Sequence, residues 1–183
     1  MKRPYLLIVG GEQRDGIDYA AAVRACNQNQ KVVLTGRLED TEVAPLFRRS
    51  DLFVFPTLAD TLPLVVLEAM SHGLPVIASN VGGIPFQIAP PECGQLVPAG
   101  DALALATAIN SLADDPASLR SMSQSARARV AAEFTWESSA QRALAGYERV
   151  LQRRGQHHRA TSMTSNSVLN PSSDKGRDKI PAS

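Results

Sequence analysis

Short apolar runs that alternate with stretches of helical period constrain this chain more than any other feature in it. Tyr5–Val9, Val32–Thr35, Leu52–Phe55 and Pro75–Ala78 each have strand length and are almost wholly apolar. Between them lie an alanine-rich helical pattern from Asp15 to Cys26, a short helix from Thr41 to Arg49 after a turn through Gly36, and a helix from Pro63 to Ser71 that Gly73 ends. Pro63 suits a first helical position, where the missing N–H would have no acceptor anyway. Strands that are apolar on both faces need cover on both faces, so the pattern predicts an α/β fold with a doubly wound parallel sheet. In such folds ligands bind beyond the carboxyl ends of the strands. After Gly94-Gln95-Leu96-Val97-Pro98 the pattern turns all helical: Asp101 caps a helix to about Leu112, Pro116 starts another, and a last one covers Thr135 to Arg153. From Gly155 onward Ser, Asn, His, Lys and Pro dominate, which predicts one domain over residues 1–154 and a disordered tail over residues 155–183.

Bulk composition removes several classes of function. A length of 183 residues with 44% hydrophobic content suits one α/β domain. Nineteen Lys and Arg against eighteen Asp and Glu give a formal charge of +1, so nothing argues for a nucleic-acid partner, which calls for a clustered basic face. Cys26 and Cys93 lack metal-ligand spacing and read as unpaired thiols in a reducing compartment. The run Tyr5–Val9 is too short for a signal core or a transmembrane segment, so it reads as a buried strand in a cytoplasmic protein. A peripheral position at a membrane surface stays open.

The segment Phe55 to Met70 carries the chemistry. A strand stops at Pro56, a loop crosses the sheet's carboxyl edge, and a helix begins near Pro63. The N–H groups of Leu64 and Val65, in the first helical turn, lack intrahelical acceptors and add to the helix dipole, which makes an anion site suited to a diphosphate. Glu68, five residues past Pro63, stands about 7 Å up the axis, within reach of vicinal hydroxyls such as those of a ribose. Asp60, on the loop, is placed to meet a sugar on the other side of the phosphates. Taken singly, Glu68 is a solvated helix residue and Asp60 a turn former. The apolar neighbours Leu64-Val65-Val66-Leu67 and Ala69-Met70 argue against that, since an unpaired carboxylate among them would be costly.

Asp60 and Glu68, with seven residues between them, and the ending Leu67-Glu68-Ala69-Met70 resemble the acidic pair that marks retaining glycosyltransferases of family 4. Gly73-Leu74-Pro75-Val76-Ile77-Ala78 and Val81-Gly82-Gly83-Ile84-Pro85 resemble the family's next strand and glycine loop. Leu34-Thr35-Gly36-Arg37, Ser50-Asp51-Leu52-Phe53, Gly94 to Pro98 with Asp101, and Phe134-Thr135-Trp136 match in order, so the resemblance covers Tyr5 to Leu151. It implies the C-terminal, donor-binding half of the two-domain GT-B fold, begun after its first β-α unit. It also implies a nucleotide diphosphate sugar as donor, no metal and no other cofactor. By the same resemblance Glu68 would hold the ribose and Asp60 the transferred sugar. Thr61, Leu62, Pro63 and Leu64 would face the diphosphate, Gly36, Arg37 and Leu38 would lie beside the base, and Gly82 and Gly83 would let backbone approach the donor. His72 reads as a partner of the helix C-terminus rather than a base.

The chain also departs from the pattern. Asp60-Thr61-Leu62-Pro63 stands in place of a Glu followed by a Gly-Phe-Gly type of loop, and Phe86 stands where an acidic residue commonly follows Gly-Gly-Ile-Pro. Family members bring an Arg and a Lys to the phosphates from the opening β-α unit, and neither Arg14 nor Lys31 has the matching place. Two absent charge-assisted contacts would weaken donor binding by about 3–6 kcal/mol. An acceptor domain is missing as well, so the resemblance implies a separate acceptor-domain partner. Two readings follow: a glycosyltransferase of glycan or glycolipid assembly that needs such a partner, or a nucleotide-binding module or inactive fragment. A generic dinucleotide-binding domain rests only on Val9-Gly10-Gly11-Glu12, which lacks the full glycine spacing.

Overall fold

The structure is a computed structural model that describes residues 7–9, 21, 25 and 32–166. Among the described residues the elements run in the order β1 (Leu7–Val9), β2 (Val32–Leu34), α1 (Asp40–Arg49), β3 (Phe53–Phe55), α2 (Leu64–Ser71), β4 (Val76–Ser79), α3 (Ile84–Ile88), β5 (Gly94–Val97), α4 (Ala102–Ala113), α5 (Pro116–Glu133) and α6 (Trp136–Asn166). Of the alanine-rich stretch, only Ala21 and Ala25 are described, and both are helical. All strand pairings among the described residues are parallel, as the alternating pattern predicts: β1 with β2, and β3-β4-β5 with β4 in the middle. They form two ladders, with no pairing recorded between β2 and β3. The sequence reading named neither β5 nor α3 as an element; both are only four or five residues long, below the length at which periodicity is informative.

Central β4 is buried along its whole length, and its alternation sorts two cores. Val76 and Ala78 pack on one face with Val66 and Met70 of α2, Ile84 and Ile88 of α3, Cys93 and Ala126 of α5. Ile77 points to the other face, with Val97, Ala108 and Leu112. Cys93 is a free, buried thiol whose pKa burial pushes up. Cys26 lies outside the described residues. No helix among the described residues is long and apolar enough to cross a membrane.

Helix ends follow from local chemistry. Pro63 is the N-cap of α2, with φ −67° and ψ 120°, and the helix proper starts at Leu64, one residue later than the sequence suggests. The extended ψ takes Pro63 out of the helix. At the other end His72 is the C-cap and Gly73, at φ +80°, takes the left-handed conformation. Gly73 N–H donates to Met70 O at 2.8 Å and Leu74 N–H to Ala69 O at 3.1 Å, so a complete Schellman motif turns the chain straight into β4. Asp101 caps α4 by accepting from Ala104 N–H at 2.9 Å, and Asp115 caps α5 by accepting from the N–H groups of Ala117 and Ser118, both at 3.1 Å.

The chain divides into two compact units, residues 1–135 and 136–183. The second holds α6, which continues through Asn166 rather than stopping near Arg153. Gly155 costs an interior helix only about 1 kcal/mol, and Gln156, Arg159 and Ala160 are good helix formers, so nothing in that sequence forces a stop. The loss of apolar residues after Gly155 therefore does not end the helical backbone. Along α6, Trp136 is exposed, and so are Leu144, Tyr147, Val150 and Leu151, which fall at three- and four-residue spacings on one face.

The Asp115 cap yields a pH signature. The Ser118 hydroxyl, then the Ser118 N–H, hold its carboxyl below the usual carboxylate range. A depressed folded value means that the stabilisation is complete above the unfolded pKa of about 3.9 and is lost as pH falls through the lower folded value. Asp115→Asn, which keeps an acceptor oxygen but no charge, is expected to melt below the wild type at neutral pH, with the gap closing in strong acid. A gap that stays constant across pH would refute the role of the charge.

Candidate functional site

The loop between β3 and α2 leaves the carboxyl end of the sheet, and a second loop, after β4, runs alongside it. Two hydrogen bonds join them. Gly83 N–H donates to Thr61 O at 2.6 Å, and the Gln87 side-chain amide donates to Pro63 O at 3.0 Å. Contact is close enough that side chains are excluded. A Cβ on Gly82, which sits at φ +52°, would meet the carbonyl oxygen of Asp60, and one on Gly83 would lie 2.8 Å from Thr61 O. The space these glycines free is therefore filled by the chain's own backbone. The structure brings Asp60, Thr61, Leu62, Pro63, Gly82 and Gly83 into one cluster, with Leu64 opening the helix beside it.

Among the described residues no acceptor takes the N–H groups of Leu62, Leu64 or Val65. At Leu64 and Val65 that is the ordinary consequence of a helix start, and it leaves an N-terminus able to receive an anion. Asp60 is half-buried, and neither its carboxylate nor that of Glu68 bonds to a described residue. Glu68 is exposed, contrary to the expectation drawn from its apolar neighbours. Helical phase explains the difference. Successive residues turn by about 100°, so Val66, Ala69 and Met70 face the core while Leu64, Glu68 and Ser71 share the outer face. Glu68 thus stands one turn above the free N–H of Leu64, about 6 Å along the axis.

Other sequence-predicted residues lie apart. Gly36, Arg37 and Leu38 follow β2, with Gly36 at φ +66°, and no hydrogen bond among the described residues ties them to the cluster. Arg14 and Lys31 lie outside the described residues. His72 offers its carbonyl to Arg127 at 2.9 Å while its ring rests 5.7 Å from that of Phe47, so it closes the helix as an aromatic packing residue. No group of three or more His, Cys, Asp or Glu side chains able to hold a metal occurs among the described residues. A groove of about 490 Å³ between β5 and α4, bordered by Gln95, Asp101 and Thr107, contains none of the predicted residues.

Sequence reasoning missed the support behind the loop. Arg129 of α5 donates from Nε to Gln87 O at 2.8 Å, from Nη2 to Phe86 O at 2.6 Å and from Nη1 to Glu133 at 2.7 Å. Its guanidinium also lies 5.8 Å from the Phe86 ring and 5.6 Å from that of Phe134, and the two rings meet edge to face at 5.6 Å. Phe86, where the sequence pattern leads one to expect an acid, thus belongs to an aromatic and cationic clamp on the end of α3. One signal was available: Gln87 is the single polar side chain between Ile84 and Ile88.

The described residues thus form a parallel α/β fold with a helix N-terminus and a carboxylate one turn up at the sheet's carboxyl edge. The sequence profile described as "Glycosyl transferases group 1" matches residues 2–115, and the chain belongs to that family. Its sequence is 34% identical over 137 residues to a glycogen synthase of Mycobacterium tuberculosis, covering 74% of this chain and 32% of that protein. Among solved structures it resembles sucrose-phosphate synthase of Thermosynechococcus elongatus, with a TM-score of 0.67 and 34% identity over 82% of this chain and 39% of the other. Anabaena HepE in complex with UDP superposes with a TM-score of 0.68 at 22% identity, covering 79% of this chain and 41% of that one, a likeness of fold. The fold is that of a GT-B glycosyltransferase, and the chain corresponds to its C-terminal half. It spans about a third of the length of the curated relatives it matches, 28% of a mannosyltransferase and 32% of the glycogen synthase.

The fit of the glycine turn under the acidic loop is directly testable. Gly82→Ala adds a Cβ at positive φ against a backbone oxygen that cannot rotate away, so destabilisation by at least about 2 kcal/mol is expected in denaturant titration. An unchanged unfolding midpoint would show that the two loops do not pack as described.

Proposed function

We propose that this chain is the donor-binding half of a retaining glycosyltransferase. It takes a sugar from a nucleotide diphosphate donor and delivers it to a glycan or lipid acceptor held by a separate acceptor domain. The observation that carries the reading is the alignment of the free N–H groups of Leu64 and Val65 with the exposed Glu68 carboxylate on one face of α2. In this reading the diphosphate rests against those N–H groups, where the helix dipole favours negative charge. The carboxylate of Glu68 accepts from the ribose hydroxyls, and Asp60, on the loop that precedes the helix, meets the transferred sugar. Thr61, Leu62 and Pro63 shape the backbone beneath the phosphates, and Gly36, Arg37 and Leu38 border the base. As bound charge shifts toward the leaving phosphate, the helix N-terminus stabilises it without a metal. A facing acceptor domain supplies what an open site lacks, the exclusion of water and the alignment of the two substrates. One structural neighbour is a complex with UDP, which supports a nucleotide as the ligand. We place the reaction in the cytoplasm.

A second reading is that the chain holds a nucleotide without transferring a sugar. Calorimetric titration with uridine and guanosine diphosphates addresses both. Saturable binding by the wild type, weakened about tenfold or more in Glu68→Ala, is the expected result. Absence of binding at millimolar ligand would remove the donor reading altogether. If a sugar is then transferred in the presence of an acceptor domain, the anomeric configuration of the product decides retention.

The exposed face of α6 bears on the partner. Large apolar side chains on one helical face are seldom left to water, so the chain alone is expected to bind an apolar dye, and addition of an acceptor domain to suppress that signal. A monomeric chain without dye binding would count against the partner.

A further inference from the structure

Gln87 is fully buried among Ile84, Ile88 and the rest of the core on that face of β4, yet only half of its carboxamide is satisfied. Its Nε2 donates to Pro63 O at 3.0 Å, while its Oε1 has no partner among the described residues. A buried acceptor left unpaired is a cost that an apolar residue of the same shape would not carry. Pro63 O does not depend on the bond for satisfaction either, since it also accepts from Val66 N–H at 3.3 Å. Neither partner's burial therefore explains why a polar group stands here.

The geometry of the peptide bond supplies a reason. Pro63 C=O and Leu64 N–H belong to one planar trans unit, so a donor that fixes the oxygen also fixes the opposite direction of the N–H. Gly83 N–H does the same for the unit shared by Thr61 and Leu62. Donation to a carbonyl also polarises the N–H of the same amide, which makes it a stronger donor. The Gln87 end is held in turn, because Arg129 grips the carbonyls of Phe86 and Gln87.

We propose that Gln87 is a positioning residue that aims and strengthens the Leu64 N–H for the donor diphosphate; this rests on the donor-binding reading above. Gln87→Met keeps the volume and removes the donor, and Gln87→Leu is a second variant of the same kind. The test compares the affinities of each for uridine diphosphate and for uridine, together with the melting temperature. A positioning role predicts that diphosphate affinity falls about tenfold, uridine affinity holds, and the melting temperature stays level or rises because an unpaired buried acceptor has gone. A wild-type ratio of the two affinities in both variants would overturn the proposal. So would a lower melting temperature with both ligands weakened in proportion, which describes a merely structural residue. Failure of the wild type to bind uridine diphosphate would instead overturn the donor reading, and the role of Gln87 would fall with it.

Discussion

The hydrogen bond from the Gln87 side chain to Pro63 O, with its companion from Gly83 N–H to Thr61 O, holds together two parts of the chain that otherwise meet only through van der Waals contact. Everything of interest at the carboxyl edge depends on that seam. Without it the residues ahead of α2 would be an ordinary surface loop, free to turn its amides toward water. With it, the carbonyls face inward and the N–H groups at the start of α2 are left facing out. The seam exists because β4 is buried on both faces, which places the segment that follows it beside the segment that follows β3. Parallel pairing puts both strand ends on the same edge, so neighbouring strands deliver their loops to one place.

Much of this was legible in the sequence. Continuous apolar strands such as Val76–Ala78 can only lie in the middle of a covered sheet, and β4 is buried on both sides. Asp101 and Asp115 sit where short polar side chains satisfy helix N–H groups, and both do so. Asp60 and the free first turn of α2 follow from a strand, a loop and a helix start in that order. The exposure of Glu68 did not follow, because the apolar residues beside it in sequence, Leu67 and Ala69, lie on other faces of the helix; its own face is shared with Leu64 and Ser71, four and three residues away, both exposed. Gln87 and Arg129 were hidden for a different reason. Their partners lie 24 and 42 residues away in the chain, and only the tertiary structure shows which carbonyls they reach.

Family membership and local geometry answer different questions. The family gives the fold and the kind of chemistry built on it. Local geometry gives the arrangement around Phe86, where the Arg129 guanidinium covers that ring together with Phe134. A cation held over two rings and two carbonyl oxygens is well paired without a carboxylate from α3.

Binding loops are commonly drawn from the least stable parts of a protein, where opening costs little. The loop ahead of α2 is not such a loop. Its tether is α3, and α3 is pinned by Ile84 and Ile88, both wholly inside the core. To shift that tether the chain would have to draw those two side chains out of the core. While the two hydrogen bonds to Pro63 O and Thr61 O hold, this edge is a wall fixed to the core, and any closing movement around a ligand has to be made by whatever stands opposite it.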